Sequence, residues 1–181
     1  MFSVEPTGHD PGRVSWVFGP PGEARPGIRL DARVAQISRS RSVAASPHQV
    51  WDVLADFGSI SSWAANVDHS CVLEHGPTGT DVGTSRRIQV GRDTLVERIT
   101  EFDQQVALAY AIEGLPRRLR RVTNRWSLTP VSATSTQVTL TTTVDIGANP
   151  VAQLAERALC RFMSKQSDAM LDGLAARVEG R

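Results

Sequence analysis

Residues 46–57 read Ser-Pro-His-Gln-Val-Trp-Asp-Val-Leu-Ala-Asp-Phe. Ser46 and Gln49 stand in capping-box register: the serine hydroxyl accepts from the third helical N–H, and the glutamine side chain reaches back to the serine N–H. Pro47 falls at the first helical position, where no donor is needed. Val50, Trp51, Leu54 and Phe57 then recur on one face, so the stretch predicts a short amphipathic helix. Gly58 permits a break, and a second brief helical turn is expected over 60–63.

On the N-terminal side, 33–45 alternates around Val34, Gln36 and Ile37 and closes at Val43, which predicts a half-buried strand ending at the cap. Further upstream, 1–32 carries Pro6, Pro11, Pro20, Pro21 and Pro26 among five glycines, a density that interrupts regular elements. This segment is expected to be a poorly ordered extension, although Val14, Trp16 and Phe18 alternate as an added edge strand would. On the C-terminal side, six more strands are expected at 67–73, 84–90, 94–102, 106–113, 122–130 and 137–146. Turn residues such as Gly76-Pro77-Thr78-Gly79 and Gly91-Arg92-Asp93 join them by short links, so sequential hairpins follow. Asn149-Pro150 then signals a last helix reaching about residue 178. Its stripe of Val151, Leu154, Ala155, Ala158, Leu159, Phe162, Met163, Ala169, Met170 and Leu174 lays it along the sheet.

Composition narrows the function. Lys plus Arg number 20 and Asp plus Glu 19, so no whole-molecule field points to nucleic acid or an anionic surface. Cys71 and Cys160 lack metal-ligand or disulfide spacing and are expected to be two buried, reduced thiols. No GxSxG, HExxH or phosphate-binding loop occurs, and no metal or organic cofactor is implied. With no apolar run of membrane length and no leader-like N-terminus, a cytoplasmic location is expected. Arg117, Arg118, Arg120, Arg121 and Arg125 cluster at one hairpin and are open to two readings, a solvated hairpin or a contact with RNA, an acidic partner or anionic lipid headgroups.

Several marks then occur in order: Ser46-Pro47-x-x-Val50-Trp51-x-Val53-Leu54-x-Asp56-Phe57 with Trp63, Val82-Gly83-Thr84-x-Arg86, Glu97-Arg98-Ile99 with Asp103, and Trp126-x-Leu128-x-Pro130. Together with the order strand, two short helices, six strands and a long helix over 34–178, they resemble the START-like (SRPBCC) superfamily. That group includes polyketide cyclase/dehydrases, lipid transport proteins, pollen allergens and plant abscisic-acid receptors. The resemblance implies an α+β helix-grip domain over 33–181, a seven-stranded curved antiparallel sheet wrapped around a long C-terminal helix, enclosing a cavity.

Taking Glu97 as inward by resemblance, alternation turns Leu95, Glu97 and Ile99 to the interior with Arg86, Ile88 and Val90 beside them. The next two strands contribute Leu108, Tyr110 and Ile112, and Val122, Asn124 and Trp126. His69 and Cys71 are expected to face in from the second strand, and Leu159, Phe162, Met163 and Gln166 to close the chamber from the helix. Arg86 and Glu97 are either a ligand anchor or a structural ion pair, and His69 is either a ligand-contacting base, as in the resembling plant receptor, or a partly buried bystander.

The expected function is binding, for carriage or sensing, of a small hydrophobic or amphipathic molecule such as a lipid, isoprenoid or polyketide. The alternatives are a polyketide cyclase, aromatase or dehydratase with Arg86, Glu97, His69 and Tyr110 as catalytic candidates, and a ligand-modulated interaction module gated near Gly91 and Leu115-Pro116. The expected partner is that small molecule; no nucleic acid is expected and any membrane contact is transient.

Overall fold

The computed structural model describes residues 34–115, 121–145 and 152–180, without the side chains of 34 and 152–160. In chain order it contains β1 (Val34–Val43), α1 (Pro47–Ala55), a 3-10 helix (Phe57–Ser62), β2 (His69–Glu74), β3 (Ser85–Val90) and β4 (Asp93–Asp103). These are followed by β5 (Ala107–Glu113), β6 (Arg121–Ser132), β7 (Ser135–Asp145) and α2 (Ala152–Val178). The expected extension at 1–32 and the Asn149-Pro150 cap lie outside the described residues.

The seven strands form one antiparallel sheet in the order β1-β7-β6-β5-β4-β3-β2. From β2 to β7 each strand pairs with the next, as short links require, and β1 closes the far edge against β7. The helix-grip architecture expected from the sequence is therefore present. Ser46 caps α1 as predicted: Gln49 N donates to its hydroxyl at 3.4 Å, and Ser46 N donates to Gln49 Oε1 at 3.0 Å. Val50, Trp51 and Leu54 of α1 are buried against the sheet. The second helical turn starts earlier than expected, at Phe57, because α1 already ends at Ala55 with Asp56 as its C-cap.

Helix α2 packs on β1, β7 and α1. Arg39 and Arg41 of β1 extend this contact by ion pairs to Asp168 and Asp172. At Gly173 the helix meets the link after the 3-10 helix so closely that a Cβ would collide with the Trp63 carbonyl oxygen. Only glycine allows that approach.

Two expectations about facing are corrected. Helix α2 buries Ser167, Met170, Leu171, Leu174 and Ala175. At 100° per residue Phe162 lies almost opposite that face, 55% exposed, and Met163 falls within it, half-buried. Leu159 and Cys160 have side chains outside the described residues. In β2, Ser70 pairs with Ile88 and Val72 with Arg86, so Ser70 and Val72 face in while His69 and Cys71 face out and are exposed. Val67 explains the difference: it is buried in the turn before the strand, its N–H bonded to Ala64 O at 2.9 Å, and does not set the strand's alternation. Cys71 is thus an exposed thiol rather than a buried one.

Candidate functional site

The register assembles the inward side chains into rows across the sheet. One row runs Val144, Val122, Ile112, Glu97, Arg86 and Val72, and the next runs Thr142, Asn124, Tyr110 and Ile99. Alternation on β3 to β6 therefore turns the predicted residues to the concave face. Arg86, Ile88, Glu97, Ile99, Leu108, Tyr110, Val122, Asn124 and Trp126 are buried, while Val90, Leu95 and Ile112 are half-buried toward the strand ends.

Arg86 lies at the centre of this face. Its Nε and Nη2 each stand 2.6 Å from Glu97 Oε2, and Nη1 donates to the Phe57 carbonyl at 2.6 Å. The guanidinium carbon lies 3.8 Å from the centroid of the Phe57 ring and 5.0 Å from that of Tyr110. A cation between two rings and a carboxylate is compensated for its lost hydration by ion pairing, hydrogen bonding and the negative ring faces together.

The adjoining row is also polar. Asn124 Nδ2 donates to the Tyr110 hydroxyl at 3.2 Å, Thr142 Oγ1 donates to Asn124 Oδ1 at 2.7 Å, and the Thr142 and Ser167 hydroxyls stand 3.5 Å apart. A hydrogen-bonded chain thus runs from the middle of the sheet to α2. Burial, reinforced by the Glu97 carboxylate, pushes the Tyr110 phenol up to about 12, against the opposing influence of Arg86 and of hydrogen bonds from Asn124 and Trp126. Tyr110 is therefore a neutral hydroxyl at physiological pH, able to donate and unsuited to act as a base.

Where this face meets α1 and the 3-10 helix, Leu54, Phe57, Ile60, Trp63, Arg86, Leu108, Tyr110 and Trp126 enclose a pocket of about 10 Å³. That is about the room one water needs. The rings pack edge to face, Phe57 on Tyr110 at 5.7 Å and Trp63 on Trp126 at 6.1 Å between centroids. A larger depression, about 360 Å³, lies between β1 and α2 and is lined by Ser40, Arg41, Asp168, Leu171 and Asp172. It is an open surface groove, and its Arg41 and Asp172 already pair with each other. The small pocket rather than the large groove adjoins the buried polar rows.

Of the predicted lining, Arg86, Leu108, Tyr110 and Trp126 wall the pocket; Glu97 supports it through Arg86, and Asn124 through Tyr110. Ile88, Val90, Leu95, Ile99, Ile112, Val122 and Met163 do not reach it. His69 and Phe162 are excluded by their facing. The other half of the wall, Leu54, Phe57, Ile60 and Trp63, comes from the helical segments, which strand alternation does not address. Thr142 was legible as a hydroxyl between Leu140 and Val144 on the inward side of β7. In the basic cluster, Arg121 is exposed and Arg125 pairs with Glu101, while 117–120 lie outside the described residues. Among the described residues no helix is long and apolar enough to cross a membrane.

A family model described as polyketide cyclase / dehydrase and lipid transport matches residues 34–179. No curated protein matches the chain in sequence. Among solved structures it is similar to the Zhui aromatase/cyclase from Streptomyces sp. R1128, at a TM-score of 0.68 and 20% identity over 81% of this chain and 94% of that one. A START superfamily protein from Mycobacterium smegmatis aligns at 0.67 and 17% identity, covering 80% and 97%. A Thermobifida fusca protein solved in solution aligns at 0.65 and 25% identity, covering 79% and 92%. At 20% and 17% identity the first two likenesses are likenesses of fold.

Proposed function

We propose that this chain, which belongs to the polyketide cyclase/dehydrase and lipid transport family, binds a small, mainly apolar molecule in the pocket between the 3-10 helix and the concave sheet. The observation that carries this is the make-up of the wall: four aromatic rings and three aliphatic side chains around one guanidinium. A domain needing only stability gains little from such a centre, since buried ion pairs are commonly matched or bettered by apolar residues of equal volume. Apolar walls with a few fixed polar groups are instead the usual composition of a ligand site.

The bound molecule separates the rings that now meet, taking over their mutual contacts. Lipids, isoprenoids and polyketides all fit this chemistry. Binding is favoured over cyclisation because, among the described residues, none of the candidate bases stands free in the interior: Glu97 is paired with Arg86, Tyr110 holds its proton, and His69 faces solvent. Native mass spectrometry of the purified protein, followed by organic extraction, tests the proposal. A retained apolar molecule near one per chain is the expected result. A protein that carries nothing and also forms no one-to-one complex with a panel of apolar probes would overturn it.

A further inference from the structure

Among the described residues, two buried side-chain polar atoms have no hydrogen-bond partner, Trp63 Nε1 and Asn66 Oδ1. Both belong to the short link 63–68 between the 3-10 helix and β2. Buried donors are nearly always paired, so an unpaired indole N–H in a residue that lines the pocket calls for a physical reason. The backbone of the link does not supply one. Ala64 N donates to Ile60 O at 2.8 Å and Val67 N to Ala64 O at 2.9 Å, and the Trp63 carbonyl is held against Gly173. The link is thus fixed while the indole N–H is left over. Trp63 also differs from its neighbours in the wall: the other seven lining side chains are buried, and Trp63 alone is half-buried.

We infer that Trp63 is a specificity-determining residue whose indole N–H donates to an acceptor oxygen of the bound molecule, so that the pocket selects a ketone- or ester-bearing ligand over a hydrocarbon of the same shape. The inference rests on the binding function proposed above and adds the group the ligand must carry. Of the other polar groups of the wall, Arg86 is engaged with Glu97 and the Phe57 carbonyl, and the Tyr110 oxygen already accepts from Asn124, whereas Trp63 Nε1 has no partner. A hydrocarbon leaves the indole donor unpaired in a desolvated site, whereas a carbonyl satisfies it, a difference of about tenfold in affinity.

Two probes of matched shape, 2-acetylnaphthalene and 2-ethylnaphthalene, test this on the full chain. The ratio of their affinities is compared between wild type and Trp63→Phe, so that effects common to both probes cancel. Trp63→Phe is expected to shift the ratio about tenfold toward the hydrocarbon, Trp63→Leu to do the same, and Trp51→Phe to leave it unchanged. In the wild type, the Trp63 indole N–H resonance is expected to move downfield with the ketone and not with the hydrocarbon. If both probes bind but the ratio stays constant in the Trp63 variants, or the resonance does not move with bound ketone, the inference is overturned while the binding function stands. If neither probe binds the wild type, both fall.

Discussion

Arg86 and Glu97 face each other across β3 and β4 with 3% and 4% of their side chains exposed, whereas Arg125 and Glu101, on the opposite face of the same sheet, leave 45% and 39% exposed. Each pair is short, at 2.6 and 2.7 Å, so geometry does not separate them. Water does. On the convex face the arginine holds Glu101 below the usual carboxylate range, yet solvent screens most of the attraction and either partner remains hydrated if the other is lost. On the concave face neither partner has that recourse, so the pair is required once it is present. Polar groups on the inside are expensive to disturb, and those on the outside are not.

The largest expected effect breaks the inner pair. Arg86→Ala, leaving Glu97 buried without a partner, is expected to lower stability in urea by about 3–5 kcal/mol. Replacing both partners by apolar residues, as in Arg86→Met with Glu97→Leu, should recover most of that loss. If Arg86→Ala costs no more than a substitution on the convex face, the contrast between the faces is wrong.

Next comes the titration of Tyr110, the sole tyrosine of the chain, whose ionisation is read directly by absorbance near 295 nm. Its pKa in the folded protein, about 12, lies above the ordinary 10.0. Its contribution is therefore complete below pH 10 and lost as pH rises through about 12, an amount on the order of 3 kcal/mol. An ordinary tyrosine titration in the folded protein would place the phenol in water and dissolve the buried polar row.

Gly173→Ala sharpens the comparison by disturbing the helix that covers the concave face without altering any inward side chain. The new methyl group meets the Trp63 carbonyl, and a loss of about 1–3 kcal/mol is expected in thermal unfolding, as for other overpacked contacts. The smallest effect belongs to Arg125→Ala, for which the expected change is under about 1 kcal/mol and diminishes further in high salt.

The same contrast explains what was legible in the sequence. Strand alternation and the Ser46 capping box are local signals, and they located every strand within a few residues; the facing of β3 to β6 followed from alternation only once Glu97 was set inward by resemblance. The facing of β2 depends on Ser70 reaching the 3-10 helix, where its hydroxyl donates to Gly58 O at 2.6 Å and accepts from Ser61 N at 3.1 Å. No periodicity within β2 encodes that contact. Phe162 misled because its apolar character joined the helical stripe although its angle left the buried face. The pocket itself was half legible: Arg86, Leu108, Tyr110 and Trp126 follow from the strands, whereas Phe57 and Trp63 become walls only when the helical segments close over them.

The most direct test of ligand binding on the concave face is a titration of isotope-labelled protein with 2-acetylnaphthalene, followed by methyl and indole NMR resonances. One-to-one saturation is expected, with shifts concentrated on Leu54, Ile60, Leu108, Trp63 and Trp126 and none on the convex face around Arg125. Shifts confined to the outer surface, or no saturable response at all, would contradict it.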